Sequence, residues 1–265
     1  MDKQPIGIFD SGLGGLTVLQ ALRREMPHEN FIYFGDTANV PYGSKSKNAV
    51  IKLSLAAARF LEQEQVKLIV VACNTASAQA LPTLQKTFKI PIFGVIESGV
   101  TEALSATRNK RVAVLGTEGT IRSKAYEKAL KKLLKDLHIT AQACPLFVPL
   151  VEEGWTKTPA AKLIAQTYLK SIQISKADTV ILGCTHYPIL KPLLSRLLGK
   201  KVTLVDPADT LARTVQNYLS QKNNLAPTRK GKVTLYSSDD PSRFKYLAEQ
   251  VLGEKLPKVY LKKPI

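Results

Sequence analysis

Seven short apolar runs, each set apart from the next by a longer helix-like stretch or a turn, constrain this chain more than any other feature in it. They are IGIFD (6–10), FIYFGD (31–36), LIVVAC (68–73), IPIFGV (90–95), RVAVLG (111–116), TVILGC (179–184) and KVTLVD (201–206). Their Val, Ile, Leu and Phe residues follow one another without polar alternation, the pattern of strands buried on both faces. Between them, segments such as 15–26, 46–64, 76–87 and 122–137 have helical spacing. This alternation predicts an α/β fold of doubly wound, mainly parallel sheets.

The chain also repeats itself. IGIFDSGLGG begins at residue 6 and VAVLGTEGTI at residue 112, and Cys73 and Cys184 recur at a similar offset. Two pseudo-symmetric lobes follow, each giving one cysteine: a first lobe of residues 1–96 and a second of 97–207. The tail, 208–265, is expected to return to the first lobe, with KVTLYSS (232–238) extending its sheet. Open parallel sheets bind ligands outside the carboxyl ends of their strands. Asp10, Asp36, Cys73, Gly116, Cys184 and Asp206 all fall at such ends, so two facing lobes would close their reactive rims around a cleft.

The cysteines sit in matching surroundings. KLIVVACNTASA (67–78) runs an apolar strand into Cys73, and TVILGCTHYPIL (179–190) runs one into Cys184. A thiol between a strand and a helix lies where the helix amino terminus lowers its pKa. Asn74 and Thr75 are natural capping types whose polar groups can also hold a carboxylate. Thr185 takes that part after Cys184, and Pro188 suits a first helical turn. Asp10 and His186 are the acid and imidazole available to tune the pair. Two such bases facing each other suit inversion of a carbon centre without a cofactor. One removes the α-proton from one face, and the conjugate acid of the other returns a proton to the opposite face. A free thiol has a pKa of about 8.5, so a thiolate facing a thiol needs only a modest shift near neutral pH.

Other features read more plainly. Cys144, in QACPLFVP, lacks that context and reads as packing. Cys-Thr-His with one distant cysteine matches no usual ligand spacing, so no metal is expected. DSGLGG carries glycines at 12, 14 and 15, not the dinucleotide spacing, and reads as a tight turn that leaves Asp10 and Ser11 free to act. Asp36 reads as a helix cap or loop acid behind the site, and Glu152 as a loop acid. His28 and His138 read as solvated residues at charged helix ends, and Trp155 as packing. Three cysteines make no disulfide framework, no apolar run could span a bilayer, and no export signal core opens the chain, all of which points to the cytoplasm. The charge is unusual: 38 Lys and Arg against 21 Asp and Glu give +17. The basic residues gather at 108–135 and beyond Lys222, but without aromatic interleaving or a DNA-binding signature, so a solvated helix face is the simpler reading.

Six motifs give the chain a family resemblance: GIFDSGLGGLTV (7–18), YFGDTANVPYG (33–43), ACNTAS (72–77), LGTEGTIRS (115–123), PLVEEG (149–154) and GCTHYP (183–188). Together, and in this order, they resemble the glutamate racemases of the cofactor-independent aspartate/glutamate racemase superfamily. The resemblance implies interconversion of L- and D-glutamate with no cofactor, supplying D-glutamate for peptidoglycan. It implies Cys73 as the base for the D-enantiomer, assisted by Asp10, and Cys184 as the base for the L-enantiomer, assisted by Glu152 and His186. Ser11, Tyr42, Gly43, Asn74, Thr75 and Thr185 match substrate-binding positions, as do Asp10 and His186, with Thr117 and Thr120 in the same pocket. Ser98 stands where the family often has proline, at the expected hinge. A homodimer is implied as well. The rival within the superfamily, an aspartate racemase, usually has an acid where His186 stands. A rival of another class is a nucleic-acid or gyrase-binding protein on a racemase fold.

Overall fold

In a computed structural model, which describes residues 4–227 and 231–263, the apolar runs form two separate parallel sheets. The start of the chain, 1–3, and Arg229 and Lys230 of the basic tail lie outside the described residues. The first sheet contains β1 (Ile6–Asp10), β2 (Phe31–Gly35), β3 (Leu68–Val71), β4 (Ile92–Gly94), β9 (Val233–Ser237) and β10 (Val259–Leu261), ordered β10-β9-β2-β1-β3-β4. The second contains β5 (Arg111–Gly116), β6 (His138–Ala143), β7 (Thr179–Gly183) and β8 (Thr203–Val205), ordered β6-β5-β7-β8. The order β2-β1-β3-β4 is that of β6-β5-β7-β8, so the repeat heard in the sequence is a repeat of topology. In each sheet the chain steps outward from its first strand and returns on the other side. That leaves a switch point between β1 and β3, and another between β5 and β7.

Eleven helices cover the sheets among the described residues: α1 (Leu16–Glu25), α2 (Lys47–Gln63), α3 (Asn74–Thr87), α4 (Val95–Ala106), α5 (Glu118–Ser123), α6 (Ala125–Leu133), α7 (Phe147–Glu152), α8 (Pro159–Ser175), α9 (Lys191–Leu198), α10 (Pro207–Gln221) and α11 (Pro241–Leu252). Strand side chains alternate between faces, and the cores divide accordingly. Ile6, Ile8, Tyr33, Leu68 and Val70 pack against Leu16, Leu19, Leu211 and Val215 of α1 and α10, while Phe9, Phe34, Ile69 and Val71 pack against α2 and α3. In the second sheet, Leu115, Val180 and Leu182 meet α7, α8 and α9, and Val112, Val114 and Ile181 meet α4 and α6. Helix α4 covers the second sheet and α10 the first, and the two helices pack on each other where the chain crosses between the sheets. No helix among the described residues is long and apolar enough to cross a membrane.

Three local expectations change. The stretch 122–137 is not one helix: α5 ends at Ser123, Lys124 takes a left-handed φ of 56°, and α6 stops at Leu133. His138 therefore opens β6 rather than ending a helix, and both it and His28 are exposed. Trp155 is 55% exposed rather than packed.

Candidate active site

The two switch points face each other, and side chains from both meet there. Asp10 ends β1 and is fully buried; its Oδ2 accepts the Gly12 N–H at 2.9 Å, and its Oδ1 accepts from the Thr185 hydroxyl at 3.3 Å. The latter bond crosses from the second sheet to the first. Burial pushes the Asp10 carboxyl up, while His186, the Gly12 and Gly15 N–H groups and Thr185 pull it back. Gly14 marks how closely the halves approach. A Cβ there would lie 2.4 Å from Thr185 Oγ1 and 2.6 Å from His186 Nδ1, so only glycine leaves room for the opposing turn. Thr17 Oγ1 adds bonds to the Gly14 carbonyl at 2.9 Å and the Thr185 carbonyl at 3.4 Å.

Cys73 stands at the N-cap position of α3, so Asn74 and Thr75, the residues of capping type, fall inside the helix as its first two residues. Those two side chains reach across the interface instead. Asn74 Oδ1 accepts from the Tyr126 hydroxyl at 2.6 Å, and Thr75 Oγ1 lies 2.8 Å from Thr117 Oγ1 and 3.3 Å from Thr120 Oγ1. Cys73 Sγ donates to Ser11 Oγ at 3.8 Å, while Asp10 acts on the sulfur through charge. Burial and the Asp10 charge push the Cys73 thiol up to about 12, against the Ala76 N–H and Ser11. The helix terminus does pull in the expected direction, but burial outweighs it.

Cys184 follows β7 and is succeeded by a single tight 3-10 turn, Tyr187–Leu190, not directly by an α-helix. Its Sγ is 3.8 Å from His186 Nδ1, and His186 Nε2 is 3.1 Å from Glu152 Oε1. Glu152 is the last residue of α7, not a loop acid. Burial alone would favour the neutral imidazole, yet hydrogen bonds to Cys184 and Glu152 prevail and raise His186 to about 10. At neutral pH His186 is thus an imidazolium with one N–H toward a sulfur and the other toward a carboxylate.

Both sulfur-bearing residues line one cavity, together with Ser11, Tyr42, Gly43, Asn74, Thr75, Thr117, Thr185 and His186. Val40, Pro41 and Val148 complete its wall. Asp10, Glu152 and Thr120 stand behind that wall and act through the residues they touch. The cavity measures about 20 Å³, room for roughly one water molecule rather than an amino acid. A larger groove of about 750 Å³ lies at the other end of the first sheet, by Arg23, His28 and Glu254, and contains neither cysteine.

Tyr42 turns its hydroxyl away from the cavity and donates to Asp36 Oδ2 at 2.6 Å. Asp36 Oδ1 accepts from Ser238 at 2.7 Å and from Asn39 at 3.0 Å. Asp36 therefore anchors the Tyr42 turn from behind, and Ser238 ties that anchor to the end of β9. Cys144 is buried, with its carbonyl accepting from Tyr187 at 2.9 Å, and does not line the cavity. Asp206 caps α10 through the Ala208 N–H at 3.1 Å. Sequence reading took Gly14 only as part of a tight turn and passed over Thr17, Tyr126 and Ser238; nothing in their neighbourhoods along the chain announces contacts made at such distance. Among the described residues no group of three or more His, Cys, Asp or Glu side chains could hold a metal ion.

The Asp/Glu/Hydantoin racemase family model matches residues 16–215. A glutamate racemase of Geobacter metallireducens is 50% identical over 261 residues, covering 98% of this chain and 97% of that protein. Among solved structures, the glutamate racemase RacE1 of Bacillus anthracis superposes with a TM-score of 0.95 at 36% identity, covering 98% of this chain and 97% of that one. The glutamate racemase of Francisella tularensis, solved in complex with D-glutamate, gives a TM-score of 0.92 at 36% identity, covering 99% and 98%.

Proposed function

The chain belongs to the Asp/Glu/Hydantoin racemase family, and from that premise we infer that it interconverts L- and D-glutamate by inverting the α-carbon. One observation carries the reading: Cys73 and Cys184, each at the switch point of its own sheet, line the same small cavity. From the L side, Cys184 as thiolate takes the α-proton while the Cys73 thiol delivers its own to the opposite face. The reverse turnover exchanges the roles. One C–H bond and one S–H bond break, one of each forms, and the pair ends with its proton on the other sulfur.

The surroundings suit that asymmetry. Protonated His186 offers Cys184 an N–H donor and is itself held by Glu152. Cys73, buried beside Asp10, keeps its proton at rest. The ammonium group of a bound amino acid would bring next to Asp10 the positive charge that burial withholds, lowering the Cys73 thiol toward use. Ser11, Asn74, Thr75, Thr117 and Thr185 supply hydroxyl and amide donors for carboxylates. Room for about one water means that the halves must part to admit substrate.

We assign the division of labour to lobes 1–96 with 208–265 and 97–207, supported by the pairing of β9 with β2 and by α4 lying on the second sheet. D-glutamate for peptidoglycan, made in the cytoplasm, is the role that fits this activity, and a homodimer is the expected assembly. The exposed lysines of α6 leave a nucleic-acid contact as a second reading, whose mark would be binding that falls steeply with salt.

The test uses L-glutamate in deuterated water with no added cofactor. Optical activity should decay as deuterium enters the α-position, and Cys73→Ser and Cys184→Ser should each abolish racemisation. Normal racemisation by either variant sinks the two-thiol mechanism.

A further inference from the structure

Tyr126, the second residue of α6, is 2% exposed and touches the surroundings of both cysteines. Its ring lies against two glycines. A Cβ on Gly183, the residue before Cys184, would come within 3.2 Å of Tyr126 Cε2, and one on Gly99 within 3.1 Å of Cε1. Its hydroxyl donates to Oδ1 of Asn74, the residue after Cys73, at 2.6 Å. One side chain from the second lobe thus rests on the strand end that carries one sulfur and holds the helix start that carries the other.

Ring packing alone does not call for a hydroxyl. The neighbours Ile96, Val100, Val114 and Leu130 are apolar and would accept phenylalanine. Burying a hydroxyl is costly unless it is hydrogen-bonded, and here it donates to Asn74. Burial, with the Asp206 and Cys184 charges adding, pushes the phenol well up, so the group remains a donor across the working pH range. As a donor it occupies the Asn74 carbonyl oxygen. The orientation of the amide is then determined: its NH₂ end is left for the cavity that Asn74 lines.

We propose that Tyr126 is a positioning residue for the racemisation assigned above. Its ring on Gly183 and its hydroxyl on Asn74 hold the two cysteine-bearing turns in register and present the Asn74 amide to a substrate carboxylate. The proposal rests on that assigned activity, so its test reads binding as well as turnover.

Tyr126→Phe keeps the ring and removes the hydroxyl. Steady-state kinetics with both enantiomers, and calorimetric titration with D-glutamate, are compared for the parent, Y126F, Asn74→Ala and the double variant. The expected result is about a tenfold loss of kcat/KM in Y126F, equivalent to about 1.4 kcal/mol, falling mainly on KM, with D-glutamate affinity reduced to match. In the Asn74→Ala background the tyrosine change should add nothing, because the group it orients is gone. Parent-like kinetics and binding in Y126F overturn the proposal, as does a loss that multiplies with that of Asn74→Ala. A parent chain that neither binds nor turns over glutamate overturns the assigned activity and the role of Tyr126 with it. A purely structural role would lower the melting temperature and leave KM unmoved.

Discussion

Replacing Glu152 with Gln tests how His186 is kept protonated. The amide keeps the shape of the side chain and an oxygen to accept from His186 Nε2, now 3.1 Å away, but it removes the charge. The contact is well sheltered, with side-chain exposures of 3% for His186 and 26% for Glu152. A hydrogen bond to a charged group contributes about 1.5–3 kcal/mol, and one pKa unit corresponds to about 1.36 kcal/mol. His186 should therefore titrate about one to two units lower than its value of about 10 in the parent. The sign follows from the raised pKa: the imidazolium, and the donor it offers Cys184, persist through neutral pH and are lost as pH rises through the histidine's own pKa. The alkaline limb of kcat/KM should move down in pH with it. Because the two enantiomers are equally stable in water, kcat/KM must be equal in both directions, so the limb should move alike for L- and D-glutamate. Carbon-13 labelling of the histidine rings gives the titration directly, since there are three histidines and the other two, His28 and His138, are exposed. A His186 that is already neutral at pH 7 in the parent, or that titrates identically in the variant, refutes the reasoning.

Gly14→Ala drives a methyl into Thr185 and His186, whose atoms would lie 2.4–2.7 Å from the new carbon. A misplacement approaching 1 Å can cost about 100-fold, so kcat/KM should fall to that extent while circular dichroism stays that of the parent; unchanged turnover would mean that the two turns do not meet as described. Lys67→Met isolates the Glu29 carboxylate from its partner, now 2.7 Å away with both side chains at 2% exposure or less. Breaking one side of a buried pair costs about 3–5 kcal/mol, and urea denaturation should register a loss of that size with activity per folded molecule retained. An unshifted midpoint would refute the pair's structural role.

What could be read from the sequence depended on whether the governing contacts were local. Strands β1, β3 and β7 are buried along their whole length and so appear as unbroken apolar runs, with Asp10 closing β1, Cys73 after Ala72 at the end of β3, and Cys184 directly after β7. Strand β6 escaped because it is an edge strand, half-buried, with the polar run HITAQA. The break at Lys124 escaped because neither glycine nor proline marks it; the Ala125 N–H is instead caught by Ser123 Oγ at 3.1 Å. Asn74 and Thr75 were legible as polar groups beside Cys73, but their partners, Tyr126 and Thr117, come from the other half of the chain, and Ser238 reaches Asp36 from 202 residues away.

The same distinction bears on the chemistry. At the end of the first sheet, Cys73 meets Ser11, the start of its own helix and a like-signed carboxylate, a setting that leaves the thiol protonated. At the end of the second sheet, Cys184 meets an imidazolium whose charge is sustained by Glu152. The bond from Thr185 to Asp10, and the charge of His186 acting on Asp10, join these settings into one system. Thr185 and His186, which make this connection, are also the side chains that pack on Gly14. Because the cavity has space for about one water, the proposed substrate would have to part some of these contacts to enter. Opening would loosen the electrostatic coupling between the two sides, and closure on the substrate would restore it with an ammonium group in place. On the two-thiol mechanism proposed above, proton transfer would therefore depend on closure, because the charges around the two sulfurs are shared between the turns of the two sheets.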